Sequence, residues 1–231
     1  MTTTAPYAGL VARHGLAESH RIALDQIRDG ARVLDVGCAT GYLAAELATR
    51  GCDVLGVEAD PRAAEQAKPH CRAVIVGDVE SATTRADVEH GVAGGIDVVL
   101  CADVLEHLRD PWETLRWVST LLNDEDGRAI VSVPNIGHWT ARRELLRGRF
   151  PYAEHGLFDR THLRFFTRAS ARELAHRGGF AVREEHPAPA PLPLESRVPA
   201  LGALRDPCVR RFPALLALQF VLVLEPLKPR R

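Results

Sequence analysis

The stretch "VLDVGCATGYLA", residues 33–44, constrains the fold more than any other part of the chain. It opens with a short apolar run containing β-branched residues, bounded by glycine, which reads as a buried strand. Gly37 and Gly41 then let the backbone turn tightly and come close to a ligand. From Tyr42 the pattern turns helical and is closed by Gly51. The same alternation repeats downstream. "DVLGVEA", "RAVIVGD", "IDVVLCADV" and "RAIVSVPN" read as further strands. Asp60-Pro61 and Asp110-Pro111 place an N-cap and an N1 proline at the start of the helices that follow the second and fourth strands. Residues 16–28 read as a helix ending at Gly30, and residues 80–95 as a short helix and a loop. Strand–helix pairs in succession imply a parallel sheet with helices on both faces, and the near-continuous apolar strands agree.

Two segments break the rhythm. Residues 136–168 form an insertion of mixed charge and aromatics, after which Ser170 and Glu173 suggest a capping box for "ARELAHR". Past the strand "FAVREEH", the stretch "PAPAPLPL" can be neither helix nor central strand. Residues 195–212 are weakly helical, and "LALQFVLVLE" is a last strand. A chain of 231 residues suits a single domain, 1–231, with a full core.

Composition excludes several classes. With 29 basic and 30 acidic residues the chain has no global charge bias toward nucleic acid. The apolar run 214–224 is too short for a membrane span of about 20 residues. Five cysteines without a C-x-x-C pair argue for a reducing compartment, with the cytoplasm as default, and against a metal site. The N-terminus has no signal-peptide pattern.

The strand ends carry the chemistry. Asp35 closes the first strand where a dinucleotide site would leave a helix N-terminus free for pyrophosphate, so a cationic ligand suits it better. Glu58 closes the second strand at about the 20-residue spacing expected of a ribose ligand. Asp78 closes the third strand and can accept from an adenine amino group. Together they describe a site for an adenosine-bearing, cationic ligand without phosphates. A nicotinamide or flavin site would want G-x-G-x-x-G, whereas here no glycine stands between Gly37 and Gly41.

"VLDVGCATG", with "GVEADPRAAEQA", "VGDVE", "IDVVLCADVLEHLRDPWETL" and "GRAIVSVPN" in order, resembles the motif series of class I S-adenosylmethionine-dependent methyltransferases over about residues 14–182. The resemblance implies a doubly wound α/β fold: a mostly parallel, Rossmann-like sheet of seven strands with an antiparallel last strand. It implies S-adenosylmethionine as cofactor and S-adenosylhomocysteine as product. The methionyl end would lie near Asp35 and the loop of Gly37, Cys38, Ala39 and Gly41. Glu58, beside Ala59, would hold the ribose, and Asp78 and Val79 would frame the adenine. Cys101, Ala102 and Asp103 would lie near the methionine part, with Tyr7 and Tyr42 closing over it. The chain departs from the family's D-x-G-C-G-x-G at Ala39, which is expected at an ordinary φ.

Methyl transfer from a sulfonium needs alignment, desolvation and, for a hydroxyl acceptor, removal of a proton. The acceptor side is built by the segment after the fourth strand and by the insertion. His138, His155 and His162 are the natural bases there, with Asp159 as a carboxylate partner, and His138, His162 and Asp159 are the catalytic candidates. Trp139, Tyr152 and Phe158 suit stacking on an acceptor, and Phe165 and Phe166 suit mounting the next helix on the sheet. Glu106-His107 reads as a positioning segment, Cys38 as structural, and His20 as surface or satisfied core near the cofactor entrance. "PN-x-x-HW" followed by "DRTHLRFFT" resembles a branch near cell-envelope sugar and natural-product pathways, which implies O-methylation of a small molecule. Transfer to carbon or nitrogen, or a regulatory protein that only binds the cofactor, are the alternatives. The expected partner is a small acceptor and no nucleic acid, on a monomer or homodimer.

Overall fold

A computed structural model of the chain describes residues 15–123, 126–190 and 200–227, without the side chains of 200–204. Tyr7 lies outside the described residues. The strands are β1 (Arg32–Val36), β2 (Asp53–Glu58), β3 (Ala73–Val76), β4 (Val98–Ala102), β5 (Arg128–Pro134), β6 (Phe180–Pro189) and β7 (Ala217–Pro226). The helices are α1 (Glu18–Asp25), α2 (Tyr42–Thr49), α3 (Pro61–Ala67), α4 (Ala82–Gly91), α5 (Pro111–Leu121), α6 (Trp139–Leu146), α7 (Arg168–Arg177), α8 (Ala200–Arg211) and α9 (Pro213–Leu216). One 3-10 turn, Lys68–His70, follows α3 and another, Leu105–His107, follows β4.

All seven strands form one sheet in the order β3-β2-β1-β4-β5-β7-β6. β1 to β5 run parallel, and β7 lies antiparallel between β5 and β6. The order reverses between β1 and β4, which opens a crevice at the carboxyl ends of the strands. The strands alternate faces. Val33, Val54, Val98 and Leu100 pack under α1 and α2, through Ala23, Ile27, Leu43 and Leu47. Leu34, Leu55, Val99 and Val131 pack under α4, α5 and α7, through Val88, Leu115, Val118 and Leu174. Burial on both faces is why these strands read as continuous apolar runs.

Local signals fixed two helix starts as expected. Asp60 accepts from Arg62 N and Asp110 from Glu113 N, each at 2.8 Å, with Pro61 and Pro111 at N1. The capping box of α7 differs from the expectation. The cap is Thr167, whose side chain accepts from Ser170 N while Ser170 Oγ accepts from Thr167 N. The helix therefore starts before Ser170, which serves as N3 and not as cap. Of the proline-rich stretch, residues 191–194 lie outside the described residues; within 187–190, β6 runs on through Pro187 and Pro189. It can do so because β6 is the edge strand, where prolines are tolerated, and its register with β7 is irregular at Ala188/Pro189.

The insertion leaves the sheet at Asn135 and comes back to it. Asn135 is fully buried; Nδ2 donates to Ala217 O at 2.8 Å and Oδ1 accepts from Gly137 N at 2.9 Å. After α6 the chain returns beside this point, with Ile136 N donating to Phe166 O at 2.8 Å. Phe166 is buried against the core, but Phe165 is 39% exposed and meets Phe150, ring centroids 5.4 Å apart. Only Phe166 mounts α7, because neighbours on an extended segment face opposite ways. Thr167→Ala should lower the unfolding free energy by about 1 kcal/mol in urea titrations, whereas Glu173→Ala should stay within about 0.5 kcal/mol.

Candidate functional site

The glycine loop is pinned to the end of β2. Gly37 N and Cys38 N both donate to Val57 O, at 2.8 and 3.0 Å. Glu58 is buried; Oε2 accepts from Ala39 N at 2.9 Å and Oε1 from Asp60 N at 2.8 Å. Burial pushes the Glu58 carboxyl above its usual range against the opposing pull of these N–H groups. Gly41 has φ +79°, and a Cβ there would sit 2.8 Å from Ala67 Cα, so no side chain fits. Ala39 does not have the ordinary φ expected of it. It lies at +49°, in the left-handed region, which aims its N–H at Glu58. An alanine there costs about 1–2 kcal/mol.

Asp35, at the end of β1, is 2% exposed and its Oδ2 has no hydrogen-bond partner. Burial, with Cys71 and Glu58 nearby, pushes its carboxyl well up. Asp78, after β3, is exposed and accepts from Glu80 N at 2.9 Å, while the adjoining Val79 is buried and Ala59 is exposed. Cys38 is buried and hydrogen-bonded to Cys71, both of which push its thiol up, and burial pushes Cys101 up to about 12. Neither forms a thiolate readily, so the structural reading of Cys38 stands on chemistry as well as position.

Asp103 follows β4, next to Ala102, and is the centre of a network the sequence did not reveal. Its φ is +56°. Oδ1 accepts from Ser132 Oγ at 2.6 Å and Gln219 Nε2 at 2.9 Å, and Oδ2 lies 3.2 Å from His20 Nε2. Burial pushes Asp103 up, but these hydrogen bonds outweigh it and hold the carboxyl below the usual range. The half-buried Tyr42 ring stands 5.4 Å from the His20 ring. His20 is thus the core histidine of the two alternatives, and α1 clips onto the end of β4 through it.

In the insertion, the segment 162–164 docks on the turn after β4. Leu163 N and Arg164 N both donate to Glu106 O, at 2.8 and 2.9 Å. This brings the buried His162 beside the buried Glu106, Nε2 to Oε1 4.0 Å. A cavity of about 80 Å³ opens between Asp103, Glu106, Gln219 and His162, with Pro134, Gly156, Leu157 and Leu218 as its less polar wall. Burial and the neighbouring His107 lower His162 to about 4. A larger cavity of about 200 Å³ lies between α1, the end of β6 and α8, away from the glycine loop. Asp159 is buried and holds Thr161 through N–H and hydroxyl donors at 2.8 and 2.6 Å, and Arg160 pairs with Glu154. His138 is the N-cap of α6, with Nδ1 2.7 Å from Thr140 Oγ1, and burial lowers it. Trp139, Tyr152 and Phe158 do not line the 80 Å³ cavity; Tyr152 and Phe158 pack on Phe150.

A family model described as a methyltransferase domain matches residues 11–185. The chain belongs to this family. It is an S-adenosylmethionine-dependent methyltransferase. A ubiquinone biosynthesis O-methyltransferase of Aeromonas salmonicida is 28% identical over 177 residues, 73% of each chain. One from Acinetobacter baylyi is 34% identical over 94 residues, so the match spans 40% of each length. The fold is similar to that of a TehB-like S-adenosylmethionine-dependent methyltransferase from Corynebacterium glutamicum, with TM-score 0.58 at 18% identity over 96% of this chain and 97% of that one.

The residues of the methyltransferase fit its cofactor. Asp35 offers a buried carboxylate oxygen without a partner, which a methionyl ammonium would complete. Glu58 and Asp78 stand at the ends of the adjoining β2 and β3, and Asp103 at the end of β4. His20, Ser132 and Gln219 belong to the same edge and carry no motif signal; only the fold brings them together.

Asp35 gives a pH test. Its folded-state pKa is raised, so the folded protein holds this proton more tightly than the unfolded chain. Stability without cofactor then falls as pH rises above about 4, the ordinary aspartate value. Asp35→Asn should melt higher than the wild type at about pH 8, and the difference should vanish near pH 4. The same substitution should weaken S-adenosylmethionine binding about 10-fold or more, read by calorimetry.

Proposed function

We propose that this methyltransferase transfers the methyl group to the oxygen of a hydroxyl on a small acceptor, a sugar or natural product, bound in the 80 Å³ cavity. One observation carries the reading: Asp103, from the cofactor edge of the sheet, and His162, from the insertion, line the same space. An acceptor there touches both halves of the site. That both relatives are named O-methyltransferases supports oxygen as the acceptor atom.

Bound S-adenosylmethionine supplies a methyl group on a positively charged sulfur. The chain's own residues do the rest. Asp35 and the glycine loop hold the methionyl end, Glu58 the ribose, and Asp78 with Val79 the adenine. Asp103 keeps a fixed negative charge beside the methionine part, because three side chains hold it in place. Pro134, Leu157 and Leu218 give the acceptor an apolar wall on one side of the cavity. His162 activates the hydroxyl through a ring nitrogen. Asp159 acts at one remove, through Thr161 and His107, and His138 caps α6. A reducing cytoplasm suits the five free thiols.

His162→Ala should lower turnover by about 10²-fold or more and leave the S-adenosylmethionine dissociation constant unchanged. His138→Ala should act on thermal stability more than on turnover. Wild-type turnover in His162→Ala would remove His162 from the mechanism. A protein that binds cofactor tightly yet methylates nothing would be a regulator.

A further inference from the structure

Glu106, His107 and His162 offer one donor atom each, all within 4.8 Å of one another. Glu106 Oε1 and His162 Nε2 stand 4.0 Å apart, too far for a hydrogen bond. The two imidazoles meet edge to face, centroids 4.9 Å apart. Independently of this grouping, Glu106 Oε2 is buried without any hydrogen-bond partner, in a side chain only 1% exposed. Among the described residues, the one ion-pair partner of Glu106 within 4.0 Å is His162. A buried carboxylate oxygen left like this lacks a positive complement.

The surroundings orient one ligand. His107 Nδ1 lies 3.3 Å from Thr161 O and 3.1 Å from Thr161 Oγ1. A carbonyl only accepts, so this network assigns the proton to Nδ1 and the lone pair to Nε2. Thr161 Oγ1 in turn donates to Asp159 Oδ1 at 2.6 Å. A histidine whose second nitrogen is held by a carbonyl, with a carboxylate behind it, is how proteins orient a metal-ligating imidazole. The main-chain bonds from Leu163 and Arg164 to Glu106 O fix the spacing between His162 and the Glu106-His107 pair.

We infer that Glu106, His107 and His162 bind one divalent transition-metal ion, of the zinc, cobalt or manganese type, with an open position facing the acceptor cavity. Glu106 and His162 both line that cavity. Two imidazoles and one carboxylate suit these ions, whereas magnesium and calcium prefer oxygen sets. Donors about 2.1 Å from one ion stand roughly 3.0–3.5 Å apart, so binding draws the cluster in by about 1 Å. The expectation of no metal site rested on cysteine spacing, and a set split between residues 106–107 and 162 leaves no local pattern to read.

The inference rests on the cavity being the acceptor site and specifies how His162 activates the hydroxyl there. The acceptor oxygen takes the open position, the ion lowers its pKa, and the O–H proton passes to solvent. The oxygen then forms the new bond to the methyl carbon as the sulfur–carbon bond breaks, and that electron pair stays on sulfur as a neutral thioether.

The test uses the full chain, stripped with chelator and titrated with zinc, cobalt, manganese and magnesium by calorimetry, with cobalt followed by its visible absorption. One ion per chain should bind, with zinc and cobalt far ahead of magnesium. Glu106→Gln and His162→Asn should each weaken cobalt binding at least about 10-fold and change its spectrum, and Thr161→Val should weaken it less. His176→Ala, on the exposed face of α7, should bind as the wild type does. S-adenosylhomocysteine titrations and melting curves on every variant report folding. Absence of one-to-one binding, magnesium preference, or wild-type cobalt affinity in folded Glu106→Gln and His162→Asn would each overturn the site. Failure of S-adenosylhomocysteine to bind a wild type that binds cobalt would instead overturn the cofactor assignments and leave the ion site standing.

Discussion

One buried carboxylate organises the cofactor half of this methyltransferase. Glu58 accepts from Ala39 N on one oxygen and from Asp60 N on the other. It thereby ties the loop after β1 to the turn that starts α3. The tie forces Ala39 into a left-handed conformation, and with Gly37 and Gly41 it brings the loop backbone over the strand ends. The strained alanine is tolerated because the hydrogen bond to Glu58 and the packing of Gly41 against Ala67 leave the loop no alternative path.

The insertion depends on a different lock. Two main-chain N–H groups of the insertion, at Leu163 and Arg164, converge on the carbonyl of Glu106. Asn135 fixes the start of the insertion and the Phe166 pairing fixes its end. The insertion is therefore a braced wall and not a loose cover. Both regions leave buried acids short of partners, Asp35 beside the glycine loop and Glu106 beside the insertion. Such groups lower the stability of the bare chain, and that is the arrangement expected of a site that is completed by positively charged ligands.

Much of this was legible in the sequence, for local reasons. The strands announced themselves by β-branched runs between glycines, and Asp60-Pro61 and Asp110-Pro111 marked helix starts, because each signal lies within a few residues of its effect. Asp35, Glu58 and Asp78 were legible because successive strand ends of a parallel sheet share one edge. What escaped depends on distant contacts. His20 meets Asp103 across 83 residues and Gln219 meets it across 116. Ala39 was misread because its φ is set by Glu58, not by its own type. Phe165 was misread because only the register of the bridge at Phe166 decides which neighbour faces the core. The segment that carries His162 interleaves charge and aromatics because it serves three neighbours at once: Glu106, Phe150 and the sheet.

The proposed acceptor site is the cavity between Asp103 and His162. Filling that cavity tests it directly. With methyl-labelled S-adenosylmethionine and a hydroxylated acceptor pool, mass spectrometry of the products should find the label on oxygen for the wild type. Leu157→Trp, which places an indole in the cavity wall, should abolish labelling while S-adenosylhomocysteine still binds with wild-type affinity. Undiminished labelling by folded Leu157→Trp would contradict the account, since the acceptor would then bind elsewhere.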